Sequence, residues 1–238
     1  MRKWNFCAGP AVISEEVLSE VQSELLEFPN SGSSIMEMSH RSNTYMNVAL
    51  DAEQDLKDIL KIPKNYEILF LQGGATHQFS MIPMNFNHLT GSADYITTGT
   101  WTTKAFLEGS HIMDLKEIYS SEKNNFTCAP DIENLKLSDN AAYVHYCPNE
   151  TIQGNAIHKV PKINKPLVAD MSSVILSEPL EVDNFSLIYA GAQKNIGPAG
   201  LTIVIIKKEF MEQGNFNLPN LFRYSEHAKS DSMLNTPP

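Results

Sequence analysis

Six short apolar runs, each bounded by turn residues, constrain this chain more than anything else in it. They are YEILFL (66–71), ADYITT (93–98), AAYVHY (141–146), PLVAD (166–170), SLIYAG (186–191) and LTIVII (201–206). Runs of this length read as strands, and near-continuous hydrophobicity suits strands buried on both faces. Helix-like or loop stretches separate them. The expected fold is therefore α/β, a mostly parallel sheet covered by helices on both faces. Ahead of the first run, SEEVLSEVQSELLEF (14–28) repeats Val17, Leu18, Val21, Leu25 and Phe28 at a helical period, with Ser14 as N-cap. NTYMNVALDAEQDLKDILKI (43–62) reads as a second amphipathic helix on the same grounds. Residues 212–238 are polar and interrupted by Gly and Pro, which predicts an extended connection.

Charge and cysteine usage narrow the function classes. A formal net charge of −10 over 238 residues disfavours nucleic acid and anionic membranes as partners. Small anionic substrates stay open, because a local cluster of donors overrides the mean field. Cys7, Cys128 and Cys147 are odd in number and form no CxxC pair, so they read as reduced thiols and not as a disulfide frame or zinc site. The N-terminal MRKWNFCAGPAVISEE has no apolar signal segment, and no stretch reaches the roughly 20 apolar residues of a membrane span. A cytoplasmic protein is expected.

In open α/β sheets ligands bind beyond the carboxyl ends of the strands, so the residues after each run matter most. The first run leads into QGGATHQF, where two glycines turn the backbone and a helix starts near Ala75 and Thr76. Free N–H groups at such a helix end suit a phosphate. GTWTT sets Trp101 at the same edge, and CPNET sets Asn149 and Thr151 there. Taken singly, these read as well as a turn, a core aromatic and loop formers. Asp170 closes PLVAD, a costly place for a carboxylate unless something pairs with it. Lys194 follows SLIYAG within AGAQKNIGPAGL; an amine buried there would lose proton affinity and become a usable nucleophile. A lysine among apolar residues, an acid one strand earlier, an aromatic platform and a helix-end anion site together meet the needs of pyridoxal 5′-phosphate.

NFCAGPAVIS, SIMEMSHRS, LQGGATHQF, SDNAAYVHYCPNETIQG, VADMSSVILS, IYAGAQKNIGPAGLTIVI and SMLNTPP span the chain, and through them it resembles the phosphoserine aminotransferases. The resemblance implies the fold-type I transferase architecture, pyridoxal 5′-phosphate as cofactor, and a homodimer with shared active sites. It implies Lys194 as the lysine that bonds the cofactor, Asp170 as partner of the pyridine nitrogen, and Trp101 as the ring that stacks on it. Thr151 and Gln193 would hydrogen-bond the cofactor, while Ala75 and Thr76 would hold its phosphate. Asn235 and Thr236 would reach the phosphate of the neighbouring subunit's cofactor. His40 and Arg41 match the substrate anion site. Thr76 stands where many relatives carry an arginine. The implied reaction is transamination between O-phospho-L-serine and 2-oxoglutarate, in serine and pyridoxine biosynthesis.

The expected division is an N-terminal arm (1–13), a cofactor-binding large domain (14–211), and an arm (212–238) leading towards the smaller C-terminal domain of the family. Two rivals stand beside this reading. One is a catalytically silent fragment that binds cofactor or dimerises. The other is a different enzyme of the same fold, such as a desulfurase, although none of the three cysteines lies in a recognisable mobile loop.

Overall fold

The computed structural model describes residues 2–234. In chain order the elements are α1 (Glu15–Glu24), α2 (Asn43–Leu60), β1 (Tyr66–Leu71), α3 (Gly74–Thr90), β2 (Ser92–Thr97), α4 (Thr100–Ser110), β3 (Asp114–Ser120), β4 (Val144–Tyr146), β5 (Asn149–Glu150), β6 (Asn155–Ala156), β7 (Leu167–Asp170), β8 (Leu187–Gly191), β9 (Thr202–Lys207), α5 (Lys208–Met211) and α6 (Tyr224–Lys229). All six apolar runs form strands.

Seven strands make one sheet in the order β1-β9-β8-β7-β4-β2-β3, and β5 pairs with β6 in a small hairpin. From β3 to β8 the neighbours are parallel; β9 runs antiparallel to both β8 and β1. Six strands therefore point one way, and their carboxyl ends share one edge. Side-chain alternation divides the core between the two faces. Ile68 and Phe70 pack with Leu56, Leu60 and Ile205 on one side. Leu69 and Leu71 pack with Phe79, Phe86 and Val204 on the other. No helix among the described residues is long and apolar enough to cross a membrane.

The structure departs from the sequence expectations in three places. β3 was not legible as a strand because it is an edge: Asp114, Lys116 and Glu117 are exposed on it, the charged composition that keeps edges from pairing with other chains. α1 stops at Glu24 and does not reach Phe28, where a turn closed by Phe28 N–H to Ser33 O (2.9 Å) leads through Pro29. It also buries nothing, so its apolar stripe of Val17, Leu18, Val21 and Leu25 faces outward.

The third departure is residues 212–234, which fold onto the sheet instead of running free. Tyr224 is buried, stacks beside Phe86 and donates its hydroxyl to Gln78 Oε1 at 2.7 Å. Ser232 Oγ accepts from the Phe70 N–H at 2.9 Å. The reason is the edge position of β1, whose outward N–H groups need partners once buried. Tyr224→Phe should strand the Gln78 carbonyl and cost about 1–3 kcal/mol. Urea melts of parent and variant test this, and agreement within about 0.5 kcal/mol would contradict the anchoring role.

Candidate functional site

β8 is buried throughout and ends at Gly191. Ala192 then closes a loop: its N–H donates to Leu201 O (2.9 Å), and its carbonyl accepts from Ile196 and Gly197 (3.1 and 2.9 Å). Lys194 lies in the first turn of that loop. It is half-buried, not enclosed as the sequence suggested, and its amine donates to Thr151 Oγ1. The same nitrogen stands 4.5 Å from the centroid of the Trp101 ring, within cation–π range. Trp101 Nε1 also donates to Thr151 Oγ1, at 3.0 Å. One hydroxyl thus accepts from both neighbours, which leaves its own proton to be donated. The N-terminal segment crosses the loop, with Ala11 N–H donating to Gln193 O at 2.8 Å. A Cβ on Gly9 would come within 2.9 Å of Lys194 Cγ, so glycine there lets the backbone lie against the lysine stem.

Asp170, the last residue of β7, is 6% exposed. Its Oδ1 accepts from the Ser172 N–H (3.0 Å) and hydroxyl (2.6 Å), and Ser172 Oγ in turn accepts from the Gly191 N–H at 2.9 Å. Ser172 therefore ties the ends of β7 and β8 together and fixes the carboxylate. Both bonds land on Oδ1, so Oδ2 is left for a donor presented from the site. Burial pushes the Asp170 carboxyl above its usual range, against the opposing pull of the Ser172 bonds and the Lys194 charge.

Two helices open on this edge with their N-termini in opposite condition. α3 begins after Gly73, whose φ of 91° suits glycine, and no side chain caps it. Ala75 and Thr76 sit in that first turn, Thr76 exposed. The start of α4 is closed. Glu150, 0% exposed, accepts from Trp101 N (2.9 Å), Thr102 N (2.8 Å) and Thr102 Oγ1 (2.6 Å). Gln153 takes the Thr100 N–H at 3.1 Å. Of these two helix starts, α3 is the one with no side-chain cap among the described residues, and so the one that offers N–H groups to an anion.

Cys147 is buried close by, and burial, with the negative charges of Asp170 and Glu150, pushes its thiol well up. A thiol kept protonated is a poor nucleophile. His145 lies beneath the edge in β4, stacked on Tyr95 and bonded through Nε2 to the Tyr189 hydroxyl at 2.8 Å. Burial drives it down to about 3, so it is a neutral core imidazole.

The structure brings Lys194, Thr151 and Trp101 into contact, with Asp170 on the adjacent strand. Gln193 adjoins Lys194 and is half-buried. His40 and Arg41 lie in the turn before α2; among the described residues no hydrogen bond or ion pair joins either to this group. His40 Nε2 is buried with no hydrogen-bond partner among the described residues, while Arg41 is exposed. Asn235 and Thr236 lie outside the described residues. Glu150 and Ser172 were not singled out from sequence. Glu150 had a signal: the GTWTT helix start carries no Asp, Asn or Ser at its own N-cap, so its orphan N–H groups require an acceptor from elsewhere. A cavity of about 380 Å³ lies between the end of β1, α3 and α6, and none of the expected site residues that fall within the described residues lines it.

The fold is that of an aminotransferase large domain, and the chain belongs to the class-V aminotransferases, whose family profile matches residues 3–235. It is 48% identical to the phosphoserine aminotransferase of Hahella chejuensis over 238 residues, all of this chain and 66% of that protein. Among solved structures, the phosphoserine aminotransferase of Bacillus circulans subsp. alkalophilus superposes with a TM-score of 0.96 at 44% identity, covering all of this chain and 66% of that one. PLP-bound phosphoserine aminotransferase from Trichomonas vaginalis gives 0.90 at 37% identity, covering all of this chain and 67% of that one. The chain thus spans about two thirds of the length of these relatives.

Proposed function

We propose that this chain is the cofactor-binding part of a phosphoserine aminotransferase, which converts O-phospho-L-serine and 2-oxoglutarate into 3-phosphooxypyruvate and L-glutamate. The observation that carries the reading is the contact of the Lys194 amine with Thr151 and the Trp101 face, one strand from the buried Asp170 carboxylate. By donor chemistry these residues fit pyridoxal 5′-phosphate. Lys194 offers the amine, Trp101 an aromatic face, Asp170 an acceptor with one oxygen to spare, and α3 an uncapped N-terminus.

The bound cofactor would supply an electron sink for the substrate Cα. The chain's own residues do the rest. Trp101 stacks against the ring, and the first turn of α3, with Ala75 and the Thr76 hydroxyl, takes the phosphate. Thr151 and Gln193 bond ring substituents. Asp170 holds the proton on the pyridine nitrogen, its position fixed by Ser172. Lys194 would take the proton from the substrate Cα and pass it to the cofactor carbon that keeps the amino group, the proton movement that transamination needs. His40 and Arg41 receive the second anionic group carried by both substrates. In a cytoplasmic homodimer Asn235 and Thr236 would reach the neighbouring subunit's cofactor phosphate. The pathway served would be serine, and with a phosphorylated threonine analogue pyridoxine, biosynthesis. Cys147, buried and with its thiol pushed up, is unsuited to the nucleophile role that a desulfurase would need.

Borohydride reduction in the presence of pyridoxal 5′-phosphate, followed by peptide mapping, tests the assignment. The adduct is expected on Lys194, and label on a different lysine would overturn it.

A further inference from the structure

We propose that Glu150 is a positioning residue that sets the Trp101 platform. A carboxylate with no exposed surface costs free energy unless its oxygens are filled, and all three of its donors come from two consecutive residues of α4, Trp101 and Thr102. Glu150 immediately precedes Thr151, whose hydroxyl accepts from the indole N–H of the same tryptophan. The residue pair Glu150–Thr151 therefore grips Trp101 at both ends, backbone N–H and ring N–H. With the backbone and the indole both fixed, the ring has little freedom about its side-chain torsions. The same carboxylate fills the start of α4 with a charge belonging to the protein. This repels other anions from that helix end and leaves α3 as the phosphate end, so Glu150 also decides which way round a ring with a phosphate tail can lie.

This inference rests on the pyridoxal phosphate reading, and the experiment separates the two. Trp4 is the one other tryptophan and is 92% exposed, so a Trp4→Phe background makes fluorescence report Trp101 alone. In that background Glu150→Gln keeps size and removes charge, turning one oxygen into an NH₂ that faces helix donors. Cofactor-free Glu150→Gln is expected to show Trp101 more accessible to acrylamide. Its half-saturating concentration of pyridoxal 5′-phosphate should rise about tenfold, as when one charge-assisted bond no longer holds the platform. Glu150→Asp withdraws the charge by one methylene and carries the same expectation at smaller amplitude, deciding the matter should the Gln variant not fold. Lower melting temperatures with unchanged quenching and unchanged cofactor titration would reduce Glu150 to a structural cap and overturn the proposal. A Trp4→Phe parent that takes up no cofactor would instead overturn the cofactor reading, while the quenching comparison still judges Glu150.

Discussion

Under the proposed function, Lys194→Ala in the full-length enzyme is expected to hold no cofactor covalently and to slow the phosphoserine half-reaction by about 10²–10⁴-fold, the range lost with a positioned proton-transfer group. The variant should still bind pyridoxal 5′-phosphate non-covalently, since Trp101, Asp170 and the first turn of α3 are untouched. Removal of the amine also uncovers the Trp101 face and frees one of the two bonds that Thr151 accepts. A small primary amine in the buffer should return part of the lost rate, because it can shuttle the proton without being tethered. Stopped-flow absorbance with parent, variant and added amine measures each part. A variant rate within a few-fold of the parent would remove Lys194 from the chemistry.

Asp170→Asn should give the second largest effect, with opposite signs in activity and stability. An amide oxygen can still accept from the Ser172 N–H and hydroxyl, so the local geometry survives. In the role proposed for Asp170 it would carry no charge to hold a proton on the pyridine nitrogen, and in the full-length enzyme losses of about 10²–10³-fold are expected from removing one electrostatic partner of a developing charge. Stability should move the other way. The folded protein holds this carboxyl above its ordinary range, so the folded state binds its proton more readily than the unfolded chain does. Stability linked to the group is complete at acidic pH and is lost as pH rises through the folded value. Cofactor-free Asp170→Asn should therefore melt above the parent at neutral pH, with the gap closing as the buffer approaches the ordinary carboxylate range. Paired melts across pH check the sign, and a variant less stable than the parent at neutral pH would contradict it.

Much of this architecture could be read from residue patterns because burial leaves a mark on composition. Strands covered on both faces must be apolar, and β1, β2, β4, β7, β8 and β9 were visible for that reason. β3 was hidden because an exposed edge strand needs charges, the same residues that fill loops. The parallel arrangement was legible, but the reversal of β9 was not: a strand's direction depends on its connection, and only the four-residue Lys208–Met211 helix and the preceding glycine-rich loop distinguish it. At the site, Lys194, Asp170, Trp101 and Thr151 stood out as reactive or aromatic groups at strand ends. Ser172 and Glu150 act by holding those groups, and a serine or a glutamate in a loop has many ordinary uses. Residues 212–234 misled because their anchors are few: Tyr224, Ser232 and Met233 supply the attachment, and polarity elsewhere disguises it.

The placement of β9 has a consequence for how the chain comes into being on the ribosome. β1 has β9 as its sheet neighbour, with Tyr66 opposite Lys207 and Leu71 opposite Thr202, and its outer edge is met by Ser232. Roughly 130 residues separate the two strands, so at cellular elongation speeds of about 5–20 residues per second YEILFL waits on the order of 10 s for its partner. During that interval an apolar segment with a single charge, Glu67, has both sides unpaired, the composition that invites pairing with other nascent chains. Productive synthesis of this protein should therefore depend on chaperones that bind early and let go only once β9 has emerged.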